Sequence, residues 1–571
     1  MWILGLNIGH NGSAALFKDD ECIFYIEEER LSRLKYDANP FLGIEKAYEY
    51  TDHIDYIVLS GTRNAFGMMP WTQEDAYSGL ARKKQPGRPI ETIKLGDDHH
   101  LAHALTAFYN SGFDDAVAIV ADGAGSGCWI DNNEDIHAST HEVESIWEIS
   151  YPANIKKILT YYGTNSADSW RYESPETGII EVSDGHGITK VYEAVTQYLG
   201  WHAIEAGKTM GLSPYGKPNP DIKFDDGKYT DRSFIKPRFP SGSLIRADLR
   251  PELNNRNGDV SWHDDPDKLD DYRKDLAYEV QKSSERRIFR LVREAIELTG
   301  KKKIVMSGGF FLNCVCNYEL LKEFPDVEFY HEPAAHDGGN AIGAAYYVYR
   351  RVSNDSNIKP LGTLYLGPDQ SKKYDNVDWA GFDVSDTTPA EVAKLIRDKN
   401  IVCIFQGRSE GGPRALGNRS ILFDPTVVDG KDIVNQVKRR EWFRPFAGSV
   451  LVEHAKEWFD LRTKDESPFM MYAVNVHPDK VGQVPAITHV DNTCRVQTVS
   501  KEQNPAFYDL ISEFHKLSGV PILFNTSFNL AGDPLVETIK EALNTLERSE
   551  LNYLYLPDIG KLVKKSDFTE V

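Results

Sequence analysis

The stretch DDHHLAHA, Asp97 to Ala104, places three histidines and two aspartates within eight residues. His99 and His103 are four apart, a spacing that sets both imidazoles on one face of a helix, close enough to share a cation. Neutral imidazole suits zinc, iron, copper and nickel. The HExxH zincin pattern is not the one present, because His100 stands where its glutamate would be. Taken alone, HxxxH reads more simply as a helix start capped by Asp98, with His100 exposed. Two further segments alter that balance. VADGAG puts Asp122 at the end of a predicted strand beside a glycine turn, and AAHDGGNAIGAA puts Asp337 directly before a Gly-Gly pair and a helix. A carboxylate at such a junction suits a metal or a phosphate, although singly its commoner use is an Asx-turn or a cap. Two histidines with one or two carboxylates suit Fe(II), with Mn or Zn as alternatives.

A second constellation is cationic. VKRREWFRPF supplies Lys438, Arg439, Arg440 and Arg444 within seven residues, and Arg495 follows in a strand-like segment. Arginine forks bind phosphate in bidentate fashion. A charge run is commonly a solvated face, but Trp442, Phe443, Pro445 and Phe446 are interleaved here. GPRALGNRS adds Arg414 and Arg419, with Gly411 and Gly412 leaving room for a phosphate. NTSFN offers Asn525 and Ser527 as neutral donors, or equally a turn whose side chains satisfy one another. The pattern GxxxxGK[ST] does not occur, so this is not a P-loop protein. His10 in NIGHNGSAA, followed by Asn11, sits on the first glycine turn, where a histidine could serve as a general base or only hydrogen-bond the loop. LARKKQPGRPIETIK, Leu80 to Lys94, carries Arg82, Lys83, Lys84, Arg88 and Lys94 against Glu91 alone. It reads as an exposed loop, or as a local guide for an anionic acceptor such as a nucleotide or nucleic acid.

The elements that must hold these residues follow from pattern and composition. A chain of 571 residues exceeds one ordinary core and predicts two globular domains. Hydrophobic residues at 41% and charged residues at 26% fit a soluble globular protein. A net charge of −21 argues against broad, non-specific nucleic-acid binding while leaving room for a local basic site. The six cysteines form no CxxC pair, so a reduced, cytoplasmic protein is the simplest expectation. MWILGLNIGHNG reads as a first strand rather than a signal peptide, and no apolar run approaches the ~20 residues that span a bilayer. WILGLNIG, AVAIVADGAG and KIVMSGG each read as a buried strand ending in a tight turn. The opening residues predict three successive strands, with LNIGHNG and KDDE as the turns. HHLAHALTAFYNSG predicts a helix ending at Gly112, the segment from Asp265 a long amphipathic helix stopping at Gly300, and NAIGAAYYVYRRV a third. In this reading DDPDKLDD is a solvated helix start. The alternation implies α/β architecture. A polar shift at RRVSNDSNIKPLG, Arg350 to Gly362, places the domains at 1–355 and 356–571.

DHHLAHA, VADGAG, EAGKTMGLSPYG, SGGFFLN and HDGGNAIGAA occur in that order, followed by GGPRALGNRSIL, VKRREWFRPFAGSV, ITHVDNTCRVQTV and PILFNTSFN. Together they resemble the O-carbamoyltransferases of antibiotic biosynthesis and nodulation-factor decoration, across nearly the whole chain. The resemblance implies an N-terminal, duplicated actin-like (ASKHA) domain, similar to the transferase that makes threonylcarbamoyl-adenosine in tRNA. A C-terminal YrdC-like α/β domain would follow. It implies two reactions: carbamoyl-adenylate formation from carbamoyl phosphate and ATP, with Mg²⁺, in the YrdC-like site, then transfer to an acceptor hydroxyl in the actin-like site beside an Fe(II)-type metal.

Carried over by position, the metal ligands would be His99, His103, Asp122 and Asp337. Lys438 and Arg444 would act in activation, and His10 with Asn11 at the acceptor, joined by Arg82, Lys83 and Lys84 if the basic stretch guides it. Contacts to ATP, adenylate or carbamoyl phosphate would come from Gly123, Lys208, Gly308, Gly309, Asn313, Arg414, Arg440, Arg495, Asn525 and Ser527, besides Lys438 and Arg444. EEERLSRLK, Glu27 to Lys35, is acceptor-side in relatives or else only a helix start. Two departures are visible: Asn11 stands where relatives often carry an acid, which weakens a His–Asp pair there, and AGSV replaces APSV after RPF. Antibiotic sugars, lipo-oligosaccharides and hydroxymethylated nucleotides or DNA all offer a suitable hydroxyl. An actin-like small-molecule kinase, with Asp122 as base and Asp337 on Mg²⁺, would leave the C-terminal cations unexplained. A hydrolase built on HxxxH would leave the glycine turns unexplained, and the density of polar motifs in both halves argues against a non-catalytic regulator.

Overall fold

A computed structural model describes residues 1–62, 71–95, 99–128, 140–164, 169–183, 185–222, 224, 235–237, 243–245, 270–375 and 377–566. The chain forms two compact units, Met1–Glu28 with Tyr36–Leu361 and Glu29–Lys35 with Gly362–Val571. The short segment Glu29–Lys35 thus groups with the second unit, which composition gave no sign of.

In the first unit the apolar opening folds as expected into β1 (Trp2–Ile8), β2 (Ser13–Lys18) and β3 (Glu21–Glu27), joined by β4 (Tyr56–Gly61) and β5 (Glu91–Lys94) in the order β3-β2-β1-β4-β5. The first three strands are antiparallel neighbours, whereas β1, β4 and β5 run parallel. A second sheet contains β6 (Asp115–Ala121), β7 (Gly127–Cys128), β8 (Thr140–Ser150), β9 (Asn154–Thr164), β10 (Trp170–Ser174) and β11 (Gly178–Ser183). After a separate ribbon, β12 (Ile235–Pro237) with β13 (Ser243–Ile245), the second sheet is completed by β14 (Lys303–Ser307) and β15 (Glu328–His331). Its run β9-β8-β6-β14-β15 repeats the order and the directions of the first sheet, with β11 and β10 added at one edge. The first unit is therefore a duplicated mixed α/β fold, the arrangement expected of an actin-like domain.

Two helices cross between the repeats. His99–Ser111 follows β5 but packs on β6, β8 and β14, while Asn340–Ser353 follows β15 but packs on β1, β2 and β4; the two also pack on each other. Gly343 permits that approach, since a Cβ there would lie 2.1 Å from the Ala102 carbonyl oxygen. Every residue of the first of these helices from His99 to Asn110 is buried, so it is covered on all sides although it carries three histidines.

Two expectations change. Leu80–Lys94 is only partly loop: Trp71–Lys84 is helical, residues 85–90 form the turn, and Glu91–Lys94 is the edge strand β5, held by parallel pairing with β4. The long helix spans Asp271–Thr299, with Asp270 accepting the Arg273 amide at 2.9 Å as its cap, and it ends at left-handed Gly300. Residues 264–269 of the expected acidic start lie outside the described residues.

The second unit is built on one nine-stranded sheet. Its strands are β16 (Phe382–Asp386), β17 (Val402–Phe405), β18 (Arg419–Phe423), β19 (Ala447–Leu451), β20 (Ala473–Asn475), β21 (Thr493–Val499), β22 (Ile522–Ser527), β23 (Tyr553–Leu556) and β24 (Lys561–Lys565). They lie in the order β16-β24-β23-β17-β18-β22-β19-β21-β20. Phe405, Ile421, Phe528, Val536, Leu546, Leu554 and Val563 form part of its core.

Candidate metal centre and anion cradle

His99 and His103 occupy the first turns of the crossing helix, Asp122 follows β6 and Asp337 opens the turn before Asn340–Ser353. His99 Nε2 lies 3.6 Å from Asp122 Oδ2 and 3.5 Å from Asp337 Oδ1, and His103 Nε2 lies 3.4 Å from Asp337 Oδ1. The two Nε2 atoms are 3.2 Å apart. One ligand atom from each of the four residues falls within 4.8 Å of the others, and all four residues are buried. Burial opposes charge on His99, but Asp337 and Asp122 outweigh it and hold its pKa at about 10. His103 falls below its ordinary value, because burial dominates there. Burial also opposes the charges on Asp122 and Asp337, yet the facing histidines keep both carboxyls below the usual carboxylate range. The ion-pair partners of these two buried carboxylates, among the described residues, are histidines. Two imidazole nitrogens with two carboxylates are a donor set that could hold a divalent metal.

The surrounding atoms fix these ligands. Ser307 Oγ lies 3.3 Å from His103 Nδ1, leaving Nε2 aimed at the cluster, and the Gly309 amide donates to Asp122 Oδ1 at 2.9 Å. Gly308 has φ of +97°, and a Cβ there would meet the Ala121 carbonyl at 2.3 Å. His10 Nδ1 lies 3.1 Å from Asp337 Oδ2, with the ring half exposed, and Asp337 raises its pKa to about 9. Its acidic partner is therefore supplied by Asp337, while Asn11 takes the left-handed turn position at φ 69°.

His100 is not exposed. It is fully buried, with Nδ1 2.9 Å from Ser145 Oγ and its ring beneath Gly125, where a Cβ would lie 2.8 Å away. Burial, with His99 beside it, drives its pKa well below normal. Asp98 lies outside the described residues.

The remaining first-unit candidates are placed as follows. Gly123 leaves space for Glu193, whose Oε1 would lie 2.4 Å from a Cβ there. Lys208 pairs with Glu205 at 2.7 Å. Asn313 caps the helix Cys314–Glu323 by accepting the Cys316 amide at 3.1 Å, and its Nδ2 donates to Gln281 Oε1 at 2.9 Å. Arg82, Lys83 and Lys84 form an exposed last helical turn, with Lys84 paired to Glu45.

In the second unit Lys438 ends the helix Gly430–Lys438, and its buried ammonium donates to the Ser527 carbonyl and, at 3.1 Å, to Asn529 Oδ1. Burial, with Arg440 and Arg444 nearby, drives its pKa well below normal. Arg440 is lowered likewise, first by burial and then by Arg444, with Arg495 adding to the effect. Arg440 also lies over the Phe446 ring at 5.0 Å. Glu441, 3.4 Å from Arg444, is the acid beside this group. Arg439 points away, exposed at the left-handed helix end.

Arg419 proves structural. It is fully buried, both of its Nη atoms donate to carbonyls, those of Gln406, Asn418, Gly407 and Glu537, and it stacks 3.8 Å over Phe405. Asn525 also uses its amide internally, on Ala415 O, Ser449 Oγ and Gln497 Oε1. Ser527 Oγ donates to Asn529 Oδ1 at 2.7 Å.

Comparison with known proteins places the chain in a family. Residues 73–346 match the carbamoyltransferase N-terminus and residues 393–564 the carbamoyltransferase C-terminus. The nodulation protein NolNO of Sinorhizobium fredii is 32% identical over 97% of this chain and 79% of its own length. This chain belongs to the carbamoyltransferase family. Nodulation protein NolO of Bradyrhizobium diazoefficiens is likewise 32% identical, over 80% of this carbamoyltransferase and 77% of NolO. A structure of HypF in a phosphate- and nucleotide-bound form covers 62% of the chain at 12% identity and a TM-score of 0.35. Among the described residues of this carbamoyltransferase, no helix is long and apolar enough to cross a membrane. Sequence reasoning missed Ser307 and the Asp337 partner of His10. Neither has a spacing signal, because each acts across the fold on a residue distant in sequence.

Proposed function

We propose that this chain is an ATP-dependent O-carbamoyltransferase, with a YrdC-like second unit that activates carbamoyl phosphate and an actin-like first unit that transfers the carbamoyl group. The supporting observation is the pair Lys438 and Arg440, whose charges burial disfavours and which, with Arg444 and Arg495 nearby, a phosphate-bearing substrate would complement. Water cleaves carbamoyl phosphate to carbamate and inorganic phosphate there. A carbamate oxygen then attacks the α-phosphorus of ATP, giving carbamoyl-adenylate and pyrophosphate. The acceptor hydroxyl attacks the carbamoyl carbon, AMP leaves, and the hydroxyl proton passes to neutral His10, 3.1 Å from Asp337, a form that a cation on Asp337 would favour by offsetting the charge that holds the His10 pKa up.

His99, His103, Asp122 and Asp337 would hold an Fe(II)-type metal, which supplies positive charge for the adenylate phosphate and carbonyl. Ser307 and the Gly309 amide keep two of those side chains in place. The acceptor is a hydroxyl-bearing sugar, natural product or hydroxymethylated nucleotide.

The test is release of AMP and pyrophosphate from ATP, with and without carbamoyl phosphate and an acceptor panel. Carbamoyl-phosphate-dependent pyrophosphate is the expected outcome. ADP as the sole nucleotide product, independent of carbamoyl phosphate, would instead establish the kinase reading.

A further inference from the structure

The glycine arch Gly411–Gly417 carries Arg414 and is pinned from both sides within the second unit. The buried Glu410 carboxylate accepts three amides at the far end, from Leu416 at 2.7 Å, Asn418 at 2.8 Å and Arg419 at 3.2 Å. Tyr365 Oη and Gln497 Nε2 each donate to the Leu416 carbonyl at 2.8 Å, Gln406 Nε2 to the Gly417 carbonyl at 3.0 Å and Asn525 Nδ2 to the Ala415 carbonyl at 3.3 Å. The near end is held by a residue nearly four hundred positions earlier: Arg30 donates through Nη2 to the Gly412 carbonyl at 2.8 Å and through Nη1 to the Glu410 carbonyl at 3.4 Å. Arg30 is buried in the segment Glu29–Lys35. Its neighbour Arg33 makes a second, separate attachment, donating to the Leu535 carbonyl at 2.7 Å and the Pro534 carbonyl at 2.9 Å.

Carbonyl oxygens facing a phosphate repel it. Here the carbonyls of Glu410, Gly412, Ala415, Leu416 and Gly417 are all engaged by side-chain donors. We propose that Arg30 is a positioning residue for carbamoyl-phosphate binding, holding the near end of the arch so that its carbonyls stay turned onto their side-chain donors and away from the anion. The inference rests on the reading of the second unit as the carbamoyl-phosphate site. It gives Glu29–Lys35 a function separate from the acceptor.

The test is equilibrium dialysis of labelled carbamoyl phosphate against the full chain, together with its KM and kcat in pyrophosphate release, for wild type, Arg30→Ala, Arg30→Lys and Arg33→Ala. Arg30→Ala is expected to weaken binding and raise KM about ten-fold or more, with a smaller effect on kcat and partial recovery with millimolar methylguanidine. Arg33→Ala is expected to lower the melting temperature while leaving KM near wild type. Should Arg30→Ala fail to fold, Arg30→Lys reads the same KM. Unchanged binding in a folded Arg30 variant, or equal KM rises in Arg30→Ala and Arg33→Ala, would overturn the proposal. Arg30-dependent binding without any turnover would instead count against the adenylate reading while leaving the positioning role intact.

Discussion

At the scale of single residues, the metal centre is a problem in buried charge. Asp122 and Asp337 are buried with histidines as their ion-pair partners among the described residues, so the counter-charge could come from protonated His10 and His99 or from a divalent cation that displaces the His99 proton. His103 is oriented by Ser307, so Ser307→Ala should weaken metal binding about 10–100-fold, read by competition with a chelator of known affinity. Wild-type affinity in that variant would mean that the hydroxyl does not orient the ring. Much of this centre was legible, because HxxxH spacing and aspartates before glycine turns survive as patterns in the chain. The burial of His100 was not legible, because nothing local distinguishes a histidine covered by Gly125 and Ser145 from one facing solvent. The role of Arg419 in packing was not legible either: a cation in a glycine-rich motif resembles a phosphate ligand until its guanidinium is seen on four carbonyls.

At the scale of elements, the site depends on two crossing helices and the glycine between them. Gly343→Ala would drive a methyl into the Ala102 carbonyl, one residue from His103, where helix backbone cannot yield. A loss of about 1–3 kcal/mol is expected, with reduced metal content, by calorimetry and elemental analysis. Gly79→Ala, in a helix with nothing within 4 Å, should instead stabilise by about 0.5–1 kcal/mol. Equal effects at both positions would refute the close-packing account. The same junction buries Glu332, which accepts Asn110 Nδ2 at 3.0 Å and the Ala334 amide at 3.0 Å. Burial raises its pKa from 4.5 to about 7. A carboxyl raised in the folded state favours folding when protonated, so its contribution falls as pH rises from 4.5 through 7, by on the order of 3 kcal/mol. Glu332→Gln should therefore narrow the melting-temperature difference between pH 6 and pH 8, and an unchanged difference would count against that assignment. The strands β1 to β3 and both crossing helices followed from apolar runs and turn residues. The edge strand β5 did not, because ETIK carries no apolar run and owes its form to pairing with β4.

At the scale of the molecule, a carbamoyltransferase with two compact units holds a buried histidine–aspartate cluster in one and a lysine–arginine group in the other. The duplicated strand order of the first unit was not visible as a sequence repeat, since hydrogen-bond direction, not residue identity, is what repeats. The central claim is that activation and transfer use separate sites. It is tested most directly by assaying Asp337→Asn and Lys438→Ala for pyrophosphate release and for carbamoylated product in the same reactions. Asp337→Asn is expected to keep carbamoyl-phosphate-dependent pyrophosphate release while product formation falls at least ~100-fold, and Lys438→Ala to lose both. Loss of pyrophosphate release in Asp337→Asn, or product formation surviving in Lys438→Ala, would contradict the account.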